Sequence, residues 1–458
     1  MRREIVIVDL GVIPYSLVKE SAEGSKYEII FIGTQSQIES LRQLGVKTQM
    51  VEYNDFLSLS SEHVSSDVVD YSTFFKKIVD YYQTWLIAER SAFRRGYRSN
   101  FNEIAKIDIL IENYISFLHD KDVKFIFYQA CPHNIYSWVF ANVAEMIGIK
   151  VYMCNATIFF WRNLLLEGLH NETVVDMESG DKEDPYVDGF IARMMKNYDD
   201  VMPEYERVRL KQRKGKYWSW GNELNTCLRS FRKAVFLPLK YRLYKSFDKY
   251  SECPDLNKKY VVLFLHYQPE RTSIPEGGYF SNQWHIINTI HRALPSDYKL
   301  YVKEHPSTFT NVQYDPRYRN ADFYGNISSL TNVSLINPNI DNFSLIDKAV
   351  CVATITGTVG AESLLRDKPV LVFGNATYRE HKYVYPIYSD KDVKEALMAI
   401  KEVSAQEVKE YTRNVYIPMI IGKSMSGMSE KQDKKNVVYN SEIRNRSIAK
   451  ILCNLLEK

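Results

Sequence analysis

The sequence predicts an α/β chain of two units, each built on a largely parallel sheet. Three observations predict it. Short apolar runs of strand length recur in both halves. Helical stretches separate many of them. Polar segments carrying Gly, Thr and His stand where the runs of the second half end, at the carboxyl edge expected to bind ligands in such a sheet.

The first unit is expected over residues 1–204. Ile5 to Asp9 reads as its first buried strand. The apolar run behind Met1-Arg-Arg is too short for a signal peptide. Tyr27 to Ile32, Val123 to Tyr128 and Val151 to Asn155 read as further strands. Asp70 to His119 reads as long helices rich in Tyr and Phe. Asn134 to Ile147 places Ile135, Trp138, Val139, Ala141 and Val143 at spacings that suit a helix buried on more than one face. Gly148 stands where a helix-ending residue belongs.

Residues 205–257 read as a basic, aromatic connector. The stretch 205–250 carries a net excess of about ten positive charges in a chain whose formal net charge is only +3. Two readings fit: a surface for anionic lipid or an anionic glycan, or a solvated linker helix whose aromatics pack on a neighbour. No recognisable nucleic-acid module accompanies the charge, so no nucleic-acid partner is expected.

The second unit is expected over residues 258–430. Its strands are Tyr260 to Leu265, Lys299 to Val302, Val333 to Ile336, Ala349 to Ala353 and Pro369 to Phe373. Gln283 to Leu294, Gly360 to Leu365 and Asp392 to Val403 read as helices. Gly422 to Asn436 reads as a polar, mobile loop. A helical tail is expected over 431–458, with Ser447 to Leu456 helical.

Composition narrows the class. No run of about 18 apolar residues indicates a membrane span, so a cytoplasmic protein is expected. The six cysteines form no C-x-x-C pair, which points to reduced, packed thiols.

Four strand ends of the second unit carry unusual residues: His266-Tyr-Gln-Pro-Glu270, Lys303-Glu-His-Pro306, Thr354 to Gly360, and Gly374 to Tyr378. Their convergence on one edge is the expectation that carries the functional reading. His305, on a turn rigidified by Pro306, is a candidate donor to a phosphate. Lys303 is a candidate substrate ligand or a surface partner of Glu304. Thr354, Thr356 and Thr358 offer hydroxyls. Gly357 is expected to allow positive φ, and Gly360 to allow close backbone approach. A helix opening there offers N–H groups to an anion, with a Thr at position 356 or 358 as its ordinary cap. Glu362 is placed in the first helical turn, as an acceptor for ribose hydroxyls. Glu270 is the favoured catalytic carboxylate, with a solvated loop Glu as its alternative and Glu276 a weaker choice. Asp390-Lys-Asp392 matches a D-x-D metal pattern but stands at a helix start, so capping and no metal are expected.

These residues resemble bacterial capsule polysaccharide biosynthesis proteins, the group that includes β-Kdo transferases. The matching pieces are Gln268-Pro-Glu270, Lys303-Glu-His-Pro306, Thr354 to Glu362 with Leu364 to Val370, and Phe373-Gly374 with Tyr378. They cover roughly residues 260–380. The resemblance implies a GT-B glycosyltransferase: two Rossmann-like domains facing across a cleft. It implies that His305, Thr356, Thr358 and Glu362 hold the phosphate and ribose of a CMP-sugar, with Gln268, Lys303, Pro306, Thr354, Gly357 and Gly360 in the same site. It places an acidic residue near the sugar; where the family often has Asp, this chain has Glu270. The implied activity is transfer of a Kdo-like sugar to a glycan or glycolipid acceptor. No cofactor is implied beyond the co-substrate, and peripheral contact with the inner membrane is expected. A CDP-polyol phosphotransferase, an inactive scaffolding subunit and a sugar-nucleotide epimerase of the same fold are the alternatives.

Overall fold

The computed structural model describes residues 4–11, 25–57, 70–94, 100–119, 121–170, 172–177, 183–196, 211, 218–229, 236–310, 318–428 and 440–457. Much of the basic connector and most of the expected mobile loop, residues 429–436, lie outside them. The chain divides into two compact units. The first holds Met1–Asp184 and takes back the chain at Pro418; the second spans Pro185–Ile417. The first crossing thus falls near residue 184 rather than 204.

The first unit contains β1 (Ile5–Asp9), β2 (Glu28–Gly33), β3 (Gln49–Glu52), β4 (Val123–Tyr128), β5 (Lys150–Ala156), β6 (Arg162–Glu167) and β7 (Thr173–Val175). The pairings β1–β2, β1–β4, β2–β3 and β4–β5 are parallel, whereas β6 runs antiparallel to β5. The helices Gln35–Gln43 and Ile135–Met146 link parallel neighbours, and Gly148 closes the latter at φ +85°. A left-handed residue suits glycine, which has no Cβ to clash.

The returning C-terminal segment completes this unit. Residues 417–423 are helical, and within the stretch from Gly422 that the sequence reads as a loop, Met425–Ser426 pairs with β6. Arg162 explains the order. Its fully buried guanidinium pairs with Asp184 at 2.8 Å and donates to the carbonyls of Ile421 and Ser424. The helix Ser441–Glu457 then lays Ile448, Ile451, Leu452 and Leu456 into the core over this sheet, so it is no independent tail.

The second unit contains β8 (Ser251–Glu252), β9 (Lys259–Phe264), β10 (Tyr298–Lys303), β11 (Val333–Ile336), β12 (Cys351–Thr354), β13 (Val370–Val372) and β14 (Val384–Pro386). All pairings are parallel, in the order β14-β13-β12-β9-β10-β11-β8. Both faces are covered. Val261 and Leu263 enter one core, while Tyr260, Val262 and Phe264 enter the other. Alternate residues of a strand point to opposite faces, which is why the run reads as continuously apolar.

Each unit is a Rossmann-like α/β fold. In the second, the chain leaves β9 toward β10 and β11, then returns to build β12 and β13 on the other side. The β9/β12 gap is therefore the switch point of the sheet, where a crevice opens at the strand ends. The register sets the level: Leu263 of β9 lies beside Val302 of β10 and Ala353 of β12.

Candidate active site

That register brings three strand ends together around a cavity of about 240 Å³. His266, Glu270 and Thr272 line it from the β9 end, and Lys303, Glu304, His305 and Pro306 from the β10 end. Thr354, Thr356, Gly357, Thr358 and Glu362 line it from the β12 end.

At the β9 end the backbone of His266 is clamped by Gln283. The His266 N–H donates to Gln283 Oε1 at 2.7 Å, and Gln283 Nε2 donates to the His266 carbonyl at 2.9 Å. The imidazole is buried. Its Nδ1 lies 3.0 Å from Glu270 Oε1 and its Nε2 lies 3.2 Å from Thr354 Oγ1. The Gly357 N–H donates to that same Thr354 hydroxyl at 3.3 Å. The hydroxyl proton then faces Nε2, and Nδ1–H faces the carboxylate. One hydrogen-bonded chain thus links the start of the helix Thr358–Leu365 to Glu270. Burial alone pushes Glu270 up. The hydrogen bond and charge of His266, with His305 and Thr272, outweigh it and leave Glu270 below the ordinary range. Glu270 is therefore an ionised carboxylate held in place, not a solvated loop residue.

At the β10 end Lys303, open to a substrate role or to a surface pair with Glu304, and Glu304 itself go separate ways. Lys303 does not reach Glu304. Its Nζ donates to the carbonyls of Asn337, Pro338 and Ile340 at 3.1, 3.1 and 2.6 Å. Burial lowers the ammonium to about 7, while Asp341 favours the charged form. Lys303 thus lines the cavity but spends its donors on the loop after β11. Glu304 is fully buried and organises the turn. It pairs with Arg319 at 2.7 Å and accepts from Tyr324 Oη at 2.7 Å, from Thr308 Oγ1 at 3.1 Å and from the His305 N–H at 2.8 Å. His305 Nδ1 accepts from the Ser307 N–H at 3.0 Å, which leaves the proton of the neutral ring on Nε2. The ring packs beside Tyr267.

At the β12 end Gly357 is the helix N-cap, rather than either threonine. Its φ is −63°, so positive φ is not its purpose. A Cβ there would lie 2.8 Å from Thr354 Oγ1 and 3.2 Å from His266 Nε2, so the close approach to those groups requires glycine. Gly360 serves packing of another kind. A methyl at 360 would overlap the Tyr378 hydroxyl, which donates to the Gly357 carbonyl at 2.6 Å. Gly360 admits Tyr378, not a ligand, and Tyr378 is how the 374–378 segment supports the site without lining it. Thr356 Oγ1 donates to the Thr272 carbonyl at 2.8 Å. Glu362 is the fifth helical residue, not a first-turn one, and accepts from Thr358 Oγ1 at 3.1 Å. Burial pushes its carboxyl up to about 7 against Thr358 and Arg366.

Gln268 and Glu276 stand apart. Gln268 Nε2 donates to the Ser281 carbonyl at 2.7 Å, and Glu276 pairs with Arg271 at 2.6 Å. Asp390 pairs with Arg292 and Asp392 accepts from the Tyr388 N–H at a helix start capped by Ser389. Among the described residues no group of three His, Cys, Asp or Glu is placed to hold a metal ion.

The arrangement suits an anion. The first N–H groups of an eight-residue helix have no intrahelical acceptor, and the helix dipole adds positive potential there. Gly357, Thr358 and Val359 bring that helix start to the cavity. His305 faces it from the next strand but one. Residues 246–381 match the family model for capsule polysaccharide biosynthesis proteins. The matched segment includes every residue of the cavity. No curated protein matches the chain. Among solved structures, the β-Kdo 2,7 transferase KpsC of Thermosulfurimonas dismutans is 11% identical, with 99% of this chain and 100% of that one covered and a TM-score of 0.33. The UDP-GlcNAc 2-epimerase of Methanocaldococcus jannaschii is 14% identical, with 91% and 100% covered and a TM-score of 0.24.

A second surface lies on the helices Trp220–Arg229 and Leu237–Tyr250. Trp218 stacks on Tyr244 and Trp220 packs on Tyr241, so these aromatics pack within their own unit. Glu223 and Lys240 form a buried pair at 2.8 Å beneath them. Trp220, Leu224 and Leu228 nonetheless remain 49%, 52% and 85% exposed, on one stripe at i, i+4 and i+8. Among the described residues no helix is long and apolar enough to cross a membrane.

Proposed function

We propose that this protein is a glycosyltransferase of capsule or related surface polysaccharide biosynthesis, transferring a Kdo-like sugar from a CMP-activated donor to a glycan or glycolipid. The observation that carries the reading is the meeting of His266, His305, Glu270 and the start of the helix Thr358–Leu365 at one cavity. All lie within the segment that matches the capsule family.

In this reading the second unit holds the nucleotide and the first presents the acceptor. The donor phosphate sits against the helix N-terminus, with Nε2–H of His305 donating to it. As the sugar–oxygen bond breaks, the bonding pair leaves with CMP, whose added charge those donors stabilise, while the acceptor hydroxyl bonds to the sugar carbon and releases its proton to water. Glu270, kept ionised by His266, faces the positive charge that develops on the sugar. Glu362 binds a ribose hydroxyl. No metal or cofactor takes part. The stripe Trp220, Leu224 and Leu228, with the exposed Arg242 and Lys245, rests on an anionic membrane surface at the cytoplasmic side of the inner membrane.

The test is transfer from CMP-Kdo to an isolated surface glycolipid, read by product mass. His305→Ala and Glu270→Gln each reduce turnover by about 10²–10³ while the fold is kept. No Kdo transfer by the wild type, with transfer of a polyol phosphate when a CDP-polyol is supplied instead, sinks the proposal. Turnover unchanged in both variants does so as well.

A further inference from the structure

The first unit has a larger cavity, of about 510 Å³, that the proposed donor site does not use. Its position follows from topology. From β1 the chain passes to β2 and β3 on one side, then to β4 and β5 on the other. The β1/β4 gap is the switch point of this sheet, and the cavity lies at those strand ends, between Asp9 and Gln129.

The lining is polar but not cationic. Among the described lining residues there is no Lys or Arg; the charged groups are Asp9 and Glu52, with His133 as the titratable imidazole. Asp9 closes β1. Its carboxylate accepts from the Tyr53 hydroxyl and, at 3.1 Å, from the Gly11 N–H. Burial raises it to about 6 against both hydrogen bonds. Beside it, Gln129 Oε1 is buried and has no hydrogen-bond partner. A buried acceptor without a donor is costly, and a bound donor removes the cost. Two helices also begin at the rim: Gln35–Gln43 after Thr34, and Ile135–Met146 after its cap Asn134. Tyr53, Tyr128 and Tyr136 also line it, as buried aromatic residues.

Hydroxyl donors satisfy this set. A carboxylate and an orphan amide oxygen accept from them. A phosphate or a carboxylated sugar meets Asp9 with like charge and finds no described cation. We propose that the cavity at the β1/β4 switch point binds an uncharged sugar residue, whose hydroxyls donate to Asp9 and to Gln129 Oε1. Only the naming of that sugar as part of the acceptor rests on the proposed function; its binding does not.

The probes are methyl glycosides of glucose, galactose and N-acetylglucosamine and their short oligosaccharides, with the methyl glycoside of Kdo as the anionic comparison. Saturation-transfer NMR and titration calorimetry read binding to the full chain, and CMP is titrated in parallel. At least one neutral saccharide binds. Asp9→Asn and Gln129→Leu each weaken it by about tenfold or more, as expected when a buried partner is lost, while CMP binding stays unchanged. Gln129→Leu fills the same space without a buried polar atom, so it keeps the test open if Asp9→Asn misfolds. Binding of the anionic glycoside alone overturns the proposal. So does neutral-sugar binding that both variants leave intact, or no saccharide binding at all. Loss of CMP binding with neutral-sugar binding retained counts against the nucleotide-sugar reading and leaves this site standing.

Discussion

Glu362 gives the second-unit cavity a pH signature that can be worked through. Its carboxyl is pushed by burial from 4.5 to about 7, against the Thr358 hydrogen bond and the Arg366 charge. Below about pH 4.5 the group is protonated in both states and contributes nothing to the pH dependence. Between 4.5 and 7 the folded state holds a proton that the unfolded state has released, so stability falls as pH rises. A shift of this size corresponds to roughly 2–3 kcal/mol once the part-exposed position of the residue is allowed for. Glu362→Gln keeps the shape, keeps an acceptor for Thr358 and removes the titration. Asp9 also titrates in this range, but it is common to both proteins and cancels in the difference. Urea unfolding of the two proteins at pH 5 and pH 7.5 is the assay. The variant gains roughly 2–3 kcal/mol on the wild type between those values. Parallel stabilities at both pH values refute the buried, protonated Glu362.

Three other variants test neighbouring parts. Glu304→Gln leaves the Arg319 charge buried without its partner and loosens the His305 turn; urea unfolding shows a loss of about 3–5 kcal/mol. Gly360→Ala forces the Tyr378 hydroxyl off the Gly357 carbonyl; overpacking costs about 1–3 kcal/mol, partly offset by alanine's helix propensity of up to about 1 kcal/mol, in the same assay. Replacing Trp220 and Leu228 together by Ser removes exposed apolar surface, so sedimentation with anionic vesicles falls by at least about tenfold, whereas unchanged sedimentation removes that stripe from the membrane contact.

The sheets were legible where strands are buried on both faces. β4, β9, β10 and β11 stand out as apolar runs because both sides of each strand pack, and their ends differ from the sequence reading by a residue or two at most. β6 was not legible. It begins with Arg162 and Asn163, which are buried only because Ser424 and Ser447 meet them from the far end of the chain. The convergence of the strand ends was legible from topology, but the wiring was not. His266 stood in the sequence as one more strand-end residue; its partner Thr354 lies 88 positions away. Glu304 and Lys303, adjacent and opposite in charge, left a surface pair as one of two readings of Lys303, yet successive side chains at a strand end point to opposite faces and find different partners. Gly360 looked like an opening for ligand because nothing local reveals Tyr378.

The most direct test of the anion pocket is titration calorimetry of CMP against the wild type and His305→Ala, with both folds checked by circular dichroism. The pocket predicts that CMP binds the wild type and that loss of the Nε2–H donor weakens it by about tenfold or more. Equal affinity in the two proteins, or no CMP binding by the wild type, contradicts it.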